Sequence, residues 1–149
     1  MLFIRALAAF LALPGVVAFA VPLLWAWSDT RLRVEQPFGV ALIAPGVAGL
    51  LWCVRDFYVA GRGTLAPWSP PLRLVVVGLY RRSRNPMYVS VVLILAGWAV
   101  LFWLAPLAVY AAIVAIAFHL RVVFGEEPWL ARVHGQAWKE YASRVPRWF

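Results

Sequence analysis

From Pro86 to Leu120 the sequence reads without one Asp, Glu, Lys or Arg, a run of 35 residues. No feature constrains the fold more. A single bilayer crossing needs about 20 apolar residues, so the run is too long for one span and long enough for two. It divides at Leu104-Ala105-Pro106, because Pro lacks the N–H of a helix interior and suits the first turn of a new helix. The reading is two helices, about 86–104 and 106–124, joined by a tight hairpin turn.

Two earlier blocks have the same character. Ala6–Trp27 is apolar throughout and is bent by Pro14-Gly15 and Pro22. Pro37–Val54 is apolar with Pro45-Gly46 near its middle. Pro and Gly are tolerated in membrane helices, where neighbours re-satisfy the freed backbone groups. With 64% hydrophobic residues and a mean hydropathy of +0.82, against about half apolar in a soluble domain, the expectation is an all-α integral membrane protein. It has four transmembrane helices, about 2–27, 36–60, 86–104 and 106–124, in one domain over 1–149. Ala18-Phe19-Ala20 resembles a signal-peptidase site, but the apolar stretch continues through Leu24-Trp25 and argues against cleavage. The single Cys53 forms no intrachain disulfide and reads as a small buried side chain.

The net charge is +8. With Arg5 inside and the helices alternating, every basic residue except Arg31 and Arg33 falls on the cytoplasmic side. That is the positive-inside bias, so charge sets topology and both termini are cytoplasmic. It argues against nucleic acid as a partner. The Arg-rich, Lys-poor usage points to a bacterial inner membrane.

Polar residues gather in two cytoplasmic stretches. One is the connection from Gly61 to Asn85, in which Arg73–Val77 reads as extended and Gly78 permits a turn. The other is the tail after Gly125, an interfacial helix with Trp129, Leu130, Val133, Trp138 and Tyr141 at roughly helical spacing. Gly135 interrupts it, and Glu140 with Arg144 makes an i,i+4 pair. Arg84 and Asn85 enter the hairpin where Glu126 and Glu127 leave it, so a donor cluster faces two carboxylates across a short gap. That arrangement suits a zwitterion: helix-start donors for an anion, carboxylates for a cation. Equally, Arg84 pairs with Glu126 or Glu127 as a structural clasp.

The motif Gly78-Leu79-Tyr80-Arg81-Arg82-Ser83-Arg84-Asn85-Pro86-Met87-Tyr88, Gly97, Glu126-Glu127 with Leu130 and Gly135, then Tyr141 and Val145-Pro146-Arg147-Trp148, resembles one pattern. It is that of the isoprenylcysteine carboxyl methyltransferase and phospholipid methyltransferase family, integral membrane enzymes that use S-adenosylmethionine. The resemblance covers about 72–149. It implies that Leu72, Arg73, Leu74 and Val75 line the cofactor with backbone groups and that Tyr80 packs against it. It further implies that Arg84, Asn85, Pro86, Met87 and Tyr88 form the pocket, while Glu126 holds a polar or cationic group with Glu127 close by.

This chain departs from the pattern at four places. Asn85 stands where the family usually has His, Leu79 for the usual Pro, and Ser90 for the usual Gly. The prenylcysteine enzymes carry an acceptor-binding Arg four residues before the first Glu; here that position is Val122, and Arg121 is one place off. A one-residue shift turns an α-helical side chain by about 100°, which counts against a prenylcysteine acceptor. Methyl transfer needs positioning and desolvation more than a metal or a base. Arg121, Tyr88 and Trp138 are positioning candidates, the two aromatics as faces for a sulfonium. The acceptor is a lipid or small amphiphile.

His134 with Glu126 and Glu127 matches neither HExxH nor ExxH, so no metal is expected. His119 reads as a partner for a neighbouring helix. Three other classes stay open: an NADPH-dependent membrane reductase of related C-terminal motif, a non-catalytic membrane subunit, and a small multidrug-type transporter. The last needs a mid-membrane carboxylate, whereas all six acids lie at helix ends or in loops.

Overall fold

A computed structural model describes residues 11–28, 34–61 and 73–149. All regular structure among them is helical. A π-helical stretch, Leu11–Ala20, leads into α1, Val21–Ser28. A 3-10 turn, Pro37–Gly39, leads into α2, Val40–Val59. Another 3-10 turn, Gly78–Arg81, precedes α3, Pro86–Phe102. Then come α4, Ala105–Arg121, a π turn, Val122–Glu126, and α5, Glu127–Arg144. The expected residues 2–10 of the first helix lie outside the described residues.

Two continuous helical stretches are long and apolar enough to cross a membrane, Pro37–Val59 and Ala105–Arg144; Pro14–Ser28 and Pro86–Phe102 are apolar but shorter. The core lies between them, with Ala18, Leu50, Val91, Ile94, Leu95 and Ala111 in one cluster. Leu51, Val109, Ile113 and Ile116 are exposed on the outside. Cys53 is fully buried. The α2–α3 contact is close enough to require glycine. A Cβ at Gly97 would lie 2.5 Å from Ile43 Cγ1, and one at Gly39 would lie 2.5 Å from the Gly97 carbonyl oxygen. Small residues let helix backbones approach this closely in apolar surroundings.

The π-helical stretch follows from Pro14, whose ring cannot donate and crowds the carbonyl of the preceding turn. Side chains of α3 and α4 brace it: Trp98 Nε1 donates to the Ala18 carbonyl at 2.9 Å and Tyr110 Oη to that of Val17 at 3.2 Å.

The turn between α3 and α4 is as short as expected. Trp103 takes a left-handed conformation, φ 49°. Its N–H donates to the Val100 carbonyl and that of Leu104 to Ala99, both at 3.2 Å. This is the Schellman pairing, normally closed by Gly. Glu35 and Gln36 N–H both donate to the Leu101 carbonyl, at 3.0 and 3.2 Å.

The end of the fourth helix differs from expectation. It does not stop near 124 but runs through the π turn into α5. The break comes later, at Gly135, with φ 51° and ψ −118°. Twenty residues of straight helix would span about 30 Å, yet Arg147 reaches back to Glu127 at 2.9 Å. Gly135 therefore folds the second half of α5 back toward the start of α3, as the sequence anticipated when it placed an interruption there. The expected Glu140–Arg144 pair is not among the ion pairs of the described residues; Glu140 accepts from Gln136 Nε2 at 3.2 Å instead. An exposed i,i+4 pair is worth too little to compete.

Candidate active site

A cavity of about 890 Å³ opens at the foot of α3. Its wall comes from six places: the π-helical stretch, the end of α2, the segment from Arg73 to Tyr80, the start of α3, the end of α4 with its π turn, and α5. Arg73, Leu74, Val75, Tyr80, Arg84, Asn85, Met87, Tyr88, Arg121, Glu126 and Trp138 all border it. Val17, Val91 and Phe118 line its apolar part. Leu72 lies outside the described residues. Pro86 and Glu127 were expected at the pocket but do not border it. Pro86 is buried as the first residue of α3, where its carbonyl accepts from Ser90 Oγ at 2.8 Å.

Local sequence explains the wall. Gly78, φ +57°, makes the expected turn, and a Cβ there would lie 2.1 Å from Asp56 Oδ2. The turn delivers Tyr80 inward, 6% exposed, against Phe57 with ring centroids 5.5 Å apart. Burial holds the Tyr80 hydroxyl well above its usual ionisation range. Its backbone carbonyl accepts from Tyr141 Oη at 2.7 Å. Desolvation likewise pushes Tyr141 up to about 12.

The two adjacent glutamates separate. Glu126 borders the cavity, where its Oε1 accepts from Tyr88 Oη and from Arg121 Nε at 2.7 Å. Glu127 turns away. Its Oε1 meets Arg84 Nη1 at 2.9 Å and Arg147 Nε at 2.9 Å, and its Oε2 meets Arg147 Nη2 at 2.8 Å. So the clasp reading of Arg84 is realised through Glu127, and Glu126 is left at the cavity. The pairing with Glu127 holds the Arg147 guanidinium above its usual pKa.

The π turn sets the direction of Arg121. On an α-helix its one-residue offset from Val122 would turn it by about 100°. Positions five apart in an α-helix point about 140° from one another. The π turn bonds i to i+5, as Glu127 N–H does to the Val122 carbonyl, and stacks such positions one over the other. Arg121 thereby faces both Glu126 and the cavity.

Asn85 borders the cavity, but its Nδ2 donates to the Arg147 carbonyl at 3.0 Å. Trp138 has the Arg84 guanidinium over its ring at 5.6 Å. Tyr88 stacks on Phe118, centroids 4.3 Å apart. His119 stacks on Trp148 at 6.0 Å, and His134 stands edge-on to Trp129 at 6.4 Å. The sequence reading missed the role of the Pro146 and Arg147 carbonyls. It saw the motif but had no signal for where the backbone would fold.

Fold and cavity define a class: an all-α protein with apolar helices long enough to cross a membrane and a charged, aromatic-walled cavity at one end. Comparison with protein families resolves the class further. The chain belongs to the phospholipid methyltransferase family, whose model matches residues 34–137, well over half of the sequence. The match includes α2, which the sequence resemblance had left out, and ends before the tail motif. Comparison with curated proteins and with solved structures returned no match. Membership supports a membrane-associated methyl-transfer function.

Proposed function

We propose that this chain is a membrane-embedded methyltransferase that uses S-adenosylmethionine to methylate a lipid or small amphiphile at the cytoplasmic membrane face. The observation that carries the reading is Glu126. A carboxylate, with Tyr88 and Arg121 on one of its oxygens, borders a cavity that also holds Arg84 and Asn85. In a phospholipid methyltransferase relative, that donor set fits a zwitterionic nucleoside.

The residues present suit the cofactor on two independent counts. Among the described residues, Arg84 Nε is buried without a partner at the cavity wall, a donor suited to a carboxylate. An unpartnered buried charge-bearing donor costs free energy that a bound anion recovers. Glu126 suits an ammonium group. When bound, S-adenosylmethionine supplies an electrophilic methyl group on a sulfonium. Tyr88 and Trp138 offer π faces for a cation, worth about 0.5–2 kcal/mol. Leu72, Arg73, Leu74 and Val75 would line the cofactor with backbone groups, and Tyr80 and Met87 would pack on it. Pro86 and Glu127 would serve indirectly, by starting α3 and by holding Arg84.

Arg121 would orient an anionic headgroup of the acceptor, and Val17, Val91 and Phe118 would take its apolar chain. Excluding water from that apolar part would raise the reactivity of the acceptor's nucleophile. The four apolar helices would cross the membrane four times, α3 and α4 as a hairpin, in a bacterial inner membrane. Arg55, Arg81, Arg82, Arg132 and Lys139 all belong to the cavity end, which the positive-inside rule puts in the cytoplasm together with both termini. At 17 residues, α3 spans about 25 Å, slightly less than the ~30 Å hydrocarbon core, a mismatch bilayers absorb at modest cost.

The test is methyl transfer in membranes. Membranes containing the chain, given radiolabelled S-adenosylmethionine, should label material in the organic extract; membranes containing Glu126→Gln should not. Equal labelling from both would reject Glu126 as part of the site. No labelling, with NADPH consumed instead, would make the protein a reductase.

A further inference from the structure

The tail Val145-Pro146-Arg147-Trp148 has no part in the reading above, yet it lies across the start of α3. The Pro146 carbonyl accepts the Arg84 N–H at 2.9 Å. The Arg147 carbonyl accepts Asn85 Nδ2 at 3.0 Å and Ser83 Oγ at 3.4 Å. Ser83 is fully buried and in turn accepts the Asn85 N–H at 3.2 Å. The Arg147 side chain closes the other edge with two parallel bonds to Glu127. Backbone and side chain of one residue thus grip both the segment that carries Arg84 and Asn85 and the start of α5, which carries Glu127.

We propose that Arg147 is a positioning residue: it fixes Glu127 against Arg84 and so holds Arg84 and Asn85 in the cavity wall. The inference rests on the reading of the cavity as a cofactor site. Neither Arg147 nor Glu127 borders the cavity, so both act through Arg84 and Asn85. The geometry is specific to arginine. A planar fork engages both carboxylate oxygens at once, leaving one of them to share with Arg84; an ammonium group on Lys is a single point charge. The Glu127 side chain is 15% exposed, whereas that of Arg147 is 36% exposed. Glu127 is the fixed member, and the tail closes onto it. The left-handed Gly135 is what brings the tail within reach, since a straight α5 would carry Arg147 away from the site.

The experiment uses the full chain in detergent, as Arg147→Ala, Arg147→Lys and wild type. Two readouts are taken: hydrogen exchange of residues 80–88 and of residues 98–108, and calorimetric affinity for S-adenosylhomocysteine. Arg147→Ala should speed exchange over 80–88 and leave 98–108 unchanged. It should weaken S-adenosylhomocysteine about tenfold, the size of a typical coupling within one network. Arg147→Lys should recover part of both effects. Unchanged exchange over 80–88 in Arg147→Ala overturns the inference, and so does unchanged affinity. Faster exchange over 98–108 as well would mean general destabilisation and also overturns it. If wild type binds no S-adenosylhomocysteine while exchange responds as expected, the cofactor reading falls and the clamp on the loop stands.

Discussion

The two ends of the α3–α4 pair are built on different principles. At the Trp103 end the chain reverses in two residues. Its hydrogen bonds are backbone to backbone, and those of the turn itself are local. At the Asn85 end the chain never closes on itself. It is tied by side chains and carbonyls from residues 20 to 64 positions apart, including Arg84, Asn85, Ser83, Glu127 and Arg147. A local turn needs no charge and leaves no cavity. A long-range tie of charged groups leaves room between its elements, and the cavity occupies that room. The contrast predicts that substitutions at one end alter ligand binding and at the other alter only the fold.

The largest effect expected is from Glu127→Ala. It leaves two guanidinium groups without their shared carboxylate, at a cost of about 2 kcal/mol for charged, partly buried hydrogen bonds. Thermal or denaturant unfolding in detergent should show it, together with weaker ligand binding. If stability stayed at the wild-type level, the clasp would contribute nothing. Next is Glu126→Gln, which should lose about tenfold in S-adenosylhomocysteine affinity, or about 1.4 kcal/mol, with little change in melting temperature. The reverse pattern, an unfolded variant, would make Glu126 structural.

A smaller effect should appear at alkaline pH. Tyr141 has a folded-state pKa of about 12 against an ordinary value of 10.0. Its contribution to tail docking is therefore complete below pH 10 and is lost as pH rises from about 10 toward 12. Stability to denaturant should fall across that window in wild type, and Tyr141→Phe should flatten the response. A wild-type profile flat up to pH 12 would detach Tyr141 from the docking. The smallest effect belongs to the other end. Trp103→Gly relieves a left-handed side-chain residue, a strain of about 1–2 kcal/mol partly offset by the freer unfolded glycine. Stability should rise by less than about 1 kcal/mol and ligand affinity should not move.

Much of this arrangement was legible in the sequence. The charge-free run and Pro106 place α3, the turn and the start of α4 to within two residues, but not the end of α4, which runs on into α5. Gly78 and Gly135 announce their turns, because few other residues tolerate positive φ. The pairing of Arg84 with Glu127 follows from a reversal of the chain, whereas Asn85 turns to the Arg147 carbonyl. What was not legible is the π turn. Val-Val-Phe-Gly-Glu carries no sign of an extra residue, because a π turn is held by tertiary contacts such as Arg121 and Tyr88 on Glu126, not by local preference. For that reason the Arg121 offset read only as a rotation away from the acceptor-binding position of the prenylcysteine enzymes. The separate fates of Glu126 and Glu127 depend on the same turn. The Arg147 carbonyl was invisible for a related reason: backbone acceptors have no residue code.

The central claim is that Glu126 and the foot of α3 form a cofactor site. The most direct measurement is calorimetric titration of S-adenosylhomocysteine into the purified chain and into Glu126→Gln, side by side in the same detergent. Saturable one-to-one binding to the wild type that fades in the variant is the result predicted here. Heat traces that coincide for the two proteins, whether both bind or neither does, would contradict it.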